Sequence, residues 1–206
     1  MSAQIFVVSA PSGCGKTTVI DALSHQCPTV HRAITTTTRP PRPGEVHGKD
    51  YFFLSKDAFQ KGLEKNAFVE HTRRYDHFYG VSRSSIDAVL AQGHNLILNI
   101  DWVGLASIRT LYPGASTSIF LLPPSLQALK DRLTHRNSDD AATIQQRMRC
   151  AQDDTLHWTH YDHIVINDIL VNTVNTVVSI INGTPYTTDR THIDRFVTQL
   201  QGQTFS

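Results

Sequence analysis

The stretch Ile5-Phe6-Val7-Val8-Ser9-Ala10-Pro11-Ser12-Gly13-Cys14-Gly15-Lys16-Thr17-Thr18 decides the fold of this chain. Its apolar run leads into a glycine-containing turn, and Lys-Thr then opens an amphipathic segment. This order is typical of a strand, a phosphate-binding loop and a helix. Backbone N–H groups and the positive end of such a helix can enclose polyphosphate oxygens. Because the flanking strand and helix are the context that the motif requires, we favour a nucleotide site over an ordinary glycine-rich turn.

Individual residues of this loop have different predicted roles in phosphate and Mg²⁺ binding. Gly13 and Gly15 let the backbone bend inward, Lys16 reaches the outer phosphates, and the Thr17 hydroxyl can bind Mg²⁺. Ala10 stands where the motif has its first glycine. Cys14 has two interpretations, a thiol whose pKa is lowered by the helix N-terminus or a small residue that fits the loop, and we favour the second.

The composition excludes several classes of protein. The 206 residues suffice for one compact domain with a sizeable core. A formal net charge of +1 gives no general attraction to nucleic acid or membrane, and no apolar run approaches a membrane span in length. The N-terminus lacks a signal-peptide pattern, and the three cysteines are unpatterned, as in reducing compartments. We therefore expect a cytoplasmic protein that binds small molecules.

The downstream sequence alternates between strand and helix patterns. Asn95–Asp101 is an almost wholly apolar strand, as expected for a parallel strand buried on both faces. Helix follows, then a strand at Thr117–Leu122, and later a strand at Tyr161–Ile166 leads into a core helix that includes Leu170 and Ile181. This alternation predicts an α/β fold with a parallel sheet.

Residues 35–90 interrupt the alternation as a small strand-rich insertion. We predict strands at Asp50–Leu54 and Phe68–Arg73, with a short helix at Lys56–Lys65 between them. Phe78–Ser82 has the pattern of a turn that enters the next helix.

The insertion begins with the proline-rich segment Arg39-Pro40-Pro41-Arg42-Pro43-Gly44-Glu45. Its prolines and glycine exclude a helix or a central strand, so Arg39 and Arg42 lie on a stiff loop. Such a loop suits a small phosphate, because arginine binds phosphate bidentately with little ordering cost. A plain solvated loop explains this segment equally well when it is considered alone.

Arginines recur on two consecutive predicted helices. Arg132 and Arg136 are four residues apart on one face, and 137–140 separates them from a helix with Arg147 and Arg149. A solvated face is the usual explanation for such arginines. Beside a polyphosphate site, the same helical hairpin can serve as a lid.

Two features near the C-terminus carry no functional prediction. His157, His160 and His163 recur every third residue, but no cysteine or carboxylate set completes a metal-ligand spacing. The last amphipathic helix, with Ile193 and Leu200 on its apolar stripe, can pack on its own core or on a second subunit.

Together these motifs resemble the guanylate kinase family, from about residue 2 to about residue 183. The resemblance rests on the loop at Ser9–Thr17, on Thr36–Tyr51, on Phe78–Gly80, on Ile100–Trp102, on Pro123–Ser125, on the spaced arginines and on Ile166–Asp168. It implies a P-loop NTPase-type core with a five-stranded parallel sheet, a GMP-binding subdomain and a lid. The implied boundaries are core 2–34, 91–125 and 161–183, insertion 35–90, lid 126–160 and a helical extension 184–206.

The resemblance also implies an activity and its residues. A guanylate kinase transfers the γ-phosphoryl group of ATP to GMP with Mg²⁺. The implied ATP-binding residues are Ala10, Pro11, Ser12, Gly13, Cys14, Gly15, Lys16, Thr17, Thr18 and Asn167. The implied GMP-binding residues are Thr35, Arg39, Arg42, Tyr51, Glu70, Tyr79 and Asp101. The residues implied around the transferring phosphoryl are Lys16, Arg132, Arg136 and Arg147.

The chemistry of guanine explains why an acidic residue belongs in this set. A Glu70 carboxylate accepts hydrogen bonds from guanine N1–H and the 2-amino group, whereas adenine presents an acceptor at N1 and has no 2-amino donor. A site that leaves buried polar groups unpaired can reject the wrong substrate by roughly 10⁴-fold or more.

The sequence departs from the family pattern at two informative positions. Asn99 replaces an acid that is expected to hold a Mg²⁺-bound water beside Thr17. An amide oxygen can accept that hydrogen bond but adds no charge, so we expect weaker Mg²⁺ retention. Val81 replaces a hydroxyl near the GMP phosphate, which predicts a modestly lower GMP affinity.

Two other functions compete with this interpretation. A catalytically silent guanylate kinase-like module would bind protein partners, but such relatives typically lose the working residues of the loop at Lys16. A P-loop kinase for another nucleotide is opposed by Glu70 and by the Arg39 loop. The sequence is compatible with a monomer or a homodimer.

Overall fold

Strands and helices alternate along the chain in the computed structural model, which describes residues 3–74, 76–134 and 141–202. The strands are β1 (Ile5–Ser9), β2 (Val30–Arg32), β3 (Thr36–Thr37), β4 (Phe52–Phe53), β5 (Phe68–Arg74), β6 (His77–Ser82), β7 (Asn95–Asn99), β8 (Ser116–Leu122) and β9 (His163–Ile166). The helices are α1 (Lys16–Gln26), α2 (Lys56–Glu64), α3 (Arg83–Ala91), α4 (Trp102–Leu111), α5 (Leu126–Thr134), α6 (Ala141–Thr155), α7 (Leu170–Ile181) and α8 (Arg190–Gln201), with a 3₁₀ helix at Leu156–His160.

The central sheet has five strands in the order β2-β7-β1-β8-β9. The pairs β2–β7 and β8–β9 are parallel. Every residue of β1 is buried, as expected for a strand covered on both faces. The α/β fold class and the five-stranded parallel sheet that the sequence predicts are confirmed.

The chain divides into two compact units. The first unit consists of the chain up to Val7 together with Pro28–Thr117, and the second consists of Val8–Cys27 together with the chain from Ser118 onward. Within the described ranges, no helix is both long enough and apolar enough to cross a membrane.

The first unit contains a second sheet of four strands in the order β4-β3-β6-β5. Strands β5 and β6 form an antiparallel pair whose register shifts between Phe68 and Glu70. Phe59 of α2 stacks on Phe68, with ring centroids 4.3 Å apart, and forms the apolar core below this sheet. The sheet lies inside the stretch 35–90, where the sequence predicts a strand-rich insertion.

The prediction of a turn at Phe78–Ser82 is wrong, because these residues belong to strand β6. Gly80 gives the segment its turn-like pattern, but it serves packing in the sheet. A Cβ at Gly80 would lie 2.9 Å from the Phe68 ring and 3.0 Å from the Glu70 carbonyl oxygen. A glycine inside a strand commonly marks such a close approach.

Three predicted strands are longer than the observed ones. The strand predicted at Asp50–Leu54 covers only Phe52–Phe53. The strand predicted at Asn95–Asp101 ends at Asn99, because Asp101 caps helix α4. The strand predicted to begin at Tyr161 begins at His163. The Tyr161 ring packs on Phe120 with centroids 4.8 Å apart, so its apolar character reflects burial outside a strand.

In the second unit, α5, α6 and α8 share an apolar cluster. Its buried members are Leu126, Leu129, Leu133, Met148, Ala151 and Leu200. Gln152 of α6 donates hydrogen bonds to the carbonyl oxygens of Leu200 and Gln201, 3.0 Å away in each case. The last helix therefore packs on the core of its own chain, one of the two alternatives that the sequence leaves open.

Candidate active site

The loop between β1 and α1 has the backbone conformation of an anion-binding turn. Gly13 and Gly15 have φ angles of +84° and +83°, in the left-handed region that favours glycine. The Cys14 N–H donates to the Pro11 carbonyl at 3.1 Å, which closes the turn. Helix α1 starts directly after Gly15, so the turn delivers the chain to a helix N-terminus.

The N-terminus of α1 lacks the side-chain cap found at four other described helices. In the described part of the chain, no side chain caps it, and its first turn contains no acidic residue. At α2, α3, α4 and α8 the N-cap side chain accepts a backbone hydrogen bond, and these caps are Ser55, Ser82, Asp101 and Asp189. A helix N-terminus without a side-chain cap suits an anionic ligand.

The side chains of the loop differ in exposure. Lys16 is half-buried, and Thr17 and Thr18 are exposed in the first turn of α1. Ala10 and Ser12 are half-buried and Pro11 is buried. The exposed Thr17 hydroxyl is an oxygen ligand of the kind that Mg²⁺ prefers.

Cys14 is a small buried residue of the loop. Its side chain is fully buried, and its thiol donates to the Leu121 carbonyl oxygen at 3.6 Å. Burial raises the pKa of the thiol to about 12, although Arg132 and Lys16 act in the opposite direction. The interpretation of Cys14 as a small residue that fits the loop is therefore supported, and the helix N-terminus does not activate its thiol.

A cavity of about 280 Å³ opens beside the phosphate loop within the second unit. Its lining residues are Gly13, Gly15, Thr18, Arg132, Asn167, Asp168 and Leu170. Arg132 donates from Nη2 to the Asn167 carbonyl oxygen at 2.9 Å. Its Nη1 is buried and has no hydrogen-bond partner among the described residues. A buried charged donor without a partner is costly, so this cavity suits an anionic ligand.

The other predicted lid arginines differ in position. Arg147 is half-buried on α6, whereas Arg149 on the same helix is exposed. Arg136 lies outside the described residues. The structure therefore brings Arg132 to the phosphate loop, and the role of Arg147 stays a prediction.

In the first unit, Arg39 is held in place on several sides. Its Nη2 donates to both Glu45 carboxylate oxygens at 2.6 and 2.8 Å, and its Nη1 donates to the Pro40 carbonyl at 2.8 Å. The guanidinium also lies over the Tyr51 ring, 5.3 Å from its centroid. The hydrogen bond from Arg39 lowers the pKa of Glu45, so this carboxyl stays ionised.

Among the other residues predicted to bind GMP, Tyr51 and Tyr79 lie near this guanidinium. The Tyr51 and Tyr79 rings meet edge to face with centroids 6.5 Å apart. Thr35 is half-buried, and its carbonyl accepts from the Phe52 N–H at 3.0 Å. Arg42 is exposed, while its backbone N–H donates to Glu45 at 2.7 Å.

Glu70 is a buried carboxylate, with 7% of its surface exposed. It lies on β5 where the register shifts, and such irregularities re-aim side chains. Its Oε2 would be 3.1 Å from a Cβ at Gly104, so glycine leaves room for the carboxylate against α4. Val81 is its cross-strand partner and is buried.

Asp101 and Asn99 lie at the end of β7 in the same unit. The Asp101 Oδ1 accepts from the N–H groups of Val103 and Gly104 at 3.1 and 3.0 Å. This carboxylate therefore caps the helix that packs against Glu70. Asn99 is half-buried and is the last residue of the strand.

Sequence reasoning missed two contacts of these sites. One is the pair between Arg39 and Glu45, for which the positive φ of Gly44, +87°, signals the turn that brings the two together. The other is the hydrogen bond from the Asn167 side-chain amide to the Cys14 carbonyl oxygen, 2.6 Å long. This second contact joins residues 153 positions apart and leaves no local signal.

Comparison with known proteins gives a consistent result. The guanylate kinase family model matches residues 2–184. The guanylate kinase of Methylococcus capsulatus is 39% identical over 200 residues, which cover 96% of this chain and 98% of that protein. The guanylate kinase of Coxiella burnetii is 41% identical over 181 residues, which cover 88% and 87% respectively. The crystal structure of guanylate kinase from Anaplasma phagocytophilum superimposes with a TM-score of 0.73 at 26% identity, over 91% of this chain and 88% of that one.

Proposed function

The chain belongs to the guanylate kinase family, and on that premise we propose that it transfers the γ-phosphoryl group of ATP to GMP, giving ADP and GDP. A phosphate oxygen of GMP attacks the γ-phosphorus, and the bond to the oxygen that bridges the β- and γ-phosphorus breaks. The observation that carries the proposal is the buried Glu70 carboxylate, in a unit that also holds the braced Arg39.

Glu70 is suited to select the acceptor base. A carboxylate accepts hydrogen bonds, and guanine offers two adjacent donors at N1 and the 2-amino group. Gly104 lets the Glu70 Oε2 pack closely against α4, and the Asp101 cap holds the helix that carries Gly104. Adenine would direct a lone pair at the carboxylate, so AMP should be a poor acceptor.

Arg39 is suited to bind the acceptor phosphate. Glu45 and the Tyr51 ring fix its orientation before any ligand arrives, which lowers the entropy lost on binding. The Tyr51 and Tyr79 hydroxyls add donors for the same phosphate.

The second unit is suited to bind the donor. The uncapped amides of α1 and the Lys16 side chain fit the outer phosphates, and the Arg132 Nη1 supplies a further cationic donor. Phosphoryl transfer depends on positioning and charge neutralisation, so we assign no general base. Cations that make full contact only when the lid closes stabilise the transition state and exclude water.

Mg²⁺ enters as the ion bound to ATP, where it neutralises phosphate charge. The exposed Thr17 hydroxyl is the ligand that this chain offers, and Asn99 would hold a bound water. Because Asn99 brings no charge, the proposal includes weaker Mg²⁺ retention. Asn99→Asp should lower the Mg²⁺ concentration for half-maximal activity by about 3- to 10-fold, from the added charge. Superimposable Mg²⁺ titrations would rule this out.

The proposal extends to the setting of the reaction. The enzyme would use GMP, and dGMP as well, to recycle and supply guanine nucleotides in the cytoplasm. It would act as a monomer or a homodimer on small molecules alone, without nucleic acid or membrane. Light scattering on the purified protein distinguishes the two assembly states.

A panel of acceptors tests the proposed function. ADP release from ATP and Mg²⁺ is measured with GMP, dGMP, AMP and UMP in turn. We expect rapid turnover with GMP and dGMP and a kcat/KM for AMP at least about 10³-fold lower. No ADP with any acceptor would favour the protein-binding module, and a preference for AMP or UMP would favour a kinase of another nucleotide.

A further inference from the structure

Asn167 joins the end of the central sheet to the phosphate loop. Its backbone N–H donates to the Leu122 carbonyl at 2.7 Å, so strand β8 fixes its position. Its side chain is buried, with 5% of the residue exposed, and its Nδ2 donates to the Cys14 carbonyl oxygen at 2.6 Å. The amide is therefore turned toward the loop backbone.

The hydrogen bond from Asn167 to the Cys14 carbonyl also fixes the direction of the Gly15 N–H. The Cys14 carbonyl and the Gly15 N–H belong to the same planar trans peptide unit, in which they point in opposite directions. Anchoring the oxygen at Asn167 therefore holds the Gly15 N–H facing away from Asn167. The direction of this amide is a property that a phosphate-binding loop needs, because each donor must point at the ligand.

The loop requires such an anchor because glycine leaves this peptide unit easy to rotate. Gly15 has a φ of +83°, and glycine populates positive and negative φ about equally. The fit is also close, since a Cβ at Gly15 would lie 2.9 Å from the Asn167 Nδ2. Asn167 thus packs on the residue whose N–H it orients.

The same residue contacts the arginine of the cavity. Arg132 donates from Nη2 to the Asn167 carbonyl at 2.9 Å and to the Asp168 carbonyl at 3.4 Å. Asn167 consequently holds a backbone donor through its side chain and a cationic side chain through its carbonyl oxygen. Gly15 and Arg132 are both among the residues that line the cavity beside the loop.

We propose that Asn167 is a positioning residue that fixes the Cys14–Gly15 peptide unit so that the Gly15 N–H is available to the polyphosphate of the donor nucleotide. The inference rests on the proposed function only in identifying the polyphosphate as that of ATP. Asn167 acts through the loop backbone and needs no contact between its own side chain and the nucleotide.

Loss of the Asn167 amide should weaken the binding of ATP and leave the binding of GMP unchanged. A hydrogen bond to a charged phosphate is lost or misdirected when the peptide unit rotates, which weakens ATP binding by about 10- to 100-fold. The amide holds the phosphate in the ground state and in the transition state alike. The KM for ATP should therefore rise while kcat changes little, which is the pattern of uniform binding.

The test compares Asn167→Leu, which removes the donor with little change in size, with Asn175→Leu on the exposed side of α7. ATP affinity is measured by calorimetry, and KM and kcat are measured for both substrates. We expect the dissociation constant and KM for ATP to rise about 10- to 100-fold in Asn167→Leu, with the KM for GMP unchanged. Asn175→Leu should stay within about twofold of the wild type on every measure.

A second variant and a spectroscopic signal keep the test decisive if Asn167→Leu folds poorly. Asn167→Asp has the same shape but lacks the amide donor, so it should lose ATP affinity by at least as much. The Gly15 amide resonance of the ATP-free protein should shift in Asn167→Asp and stay in place in Asn175→Leu. Unchanged ATP affinity in both Asn167 variants, or equal losses for ATP and GMP with a lowered melting temperature, would overturn the proposal.

These outcomes are distinguishable from failure of the proposed function. If the wild type binds ATP but phosphorylates no GMP, the kinase assignment fails. The calorimetric comparison of ATP binding then still decides whether Asn167 positions the loop.

Discussion

Two loops of this molecule suit phosphate, and they are built in opposite ways. The loop Ala10–Thr18 offers backbone amides at a helix start that no described side chain caps. The loop Arg39–Glu45 offers guanidinium groups, one of which is already paired with the Glu45 carboxylate inside the same loop. Backbone donors are oriented by the conformation of the chain, whereas a long side chain must be held by neighbours. The first loop should therefore be sensitive to changes in backbone conformation and the second to changes in its internal partner.

The largest expected effect concerns the cation that supplements the backbone loop. Arg132→Met should lower kcat by on the order of 10³-fold, because the buried Nη1 has no described partner and is free to neutralise developing charge. Steady-state kinetics with ATP and GMP measure the change. Arg149→Met removes an exposed arginine of α6 and should leave kcat within about twofold. Equal effects of the two substitutions would mean that Arg132 has no special role.

Gly15→Ala should have the next largest effect and tests the backbone loop itself. The added Cβ would lie 2.9 Å from the Asn167 Nδ2 and would require a positive φ, so we expect the KM for ATP to rise about tenfold or more. Left-handed alanine should also lower the free energy of unfolding by about 1–2 kcal/mol. Steady-state kinetics and chemical denaturation measure the two effects.

Gly114→Ala is the matched control, because Gly114 has a φ of +72° with no atom of the described ranges within 4 Å of the new Cβ. It should show a similar loss of stability and an unchanged KM for ATP. If both variants keep the wild-type KM, the conformation of Gly15 does not control ATP binding.

The smallest expected effect concerns the side-chain loop. Arg39 holds the pKa of Glu45 below its ordinary value of 4.5, so the pair stabilises the fold above that pH. This contribution should be lost as the pH falls through the lowered pKa of the folded state. Glu45→Gln should therefore lower the free energy of unfolding by about 1 kcal/mol or less at pH 7, with the two proteins converging in acid.

Denaturation curves across this pH range measure the difference. Glu64→Gln, at the exposed end of α2, serves as the control and should match the wild type throughout. A stability difference for Glu45→Gln that persists unchanged at low pH would contradict the ion-pair explanation.

The same contrast explains how much could be predicted from the sequence. The backbone loop is a local motif, so its strand, its turn and its helix start follow from consecutive residues. The alternation of buried strands and helices likewise predicted the α/β fold class and a parallel sheet, whereas the number of five strands followed from the family resemblance. Asp101 shows the limit of this approach. The apolar run predicted a strand that extends to Asp101, but the strand ends at Asn99 and Asp101 caps the next helix.

The features that could not be predicted depend on contacts across the chain or on packing. Gly80 looks like a turn residue, and only the position of Phe68 explains it as part of a strand. The hydrogen bond between Asn167 and Cys14 needs the folded sheet to bring its partners together. The hydrogen bonds between Arg39 and Glu45 join residues only six positions apart, but they form only when the chain turns at Gly44.

The most direct test of the account is the acceptor preference of Glu70→Gln. If the buried carboxylate selects guanine, kcat/KM for GMP should fall on the order of 10³-fold while the KM for ATP stays the same, because the amide adds a donor facing the guanine donors. Glu64→Gln should keep the wild-type preference. A kcat/KM for GMP within about threefold of the wild type, which is less than the loss of one net hydrogen bond, would contradict the central claim.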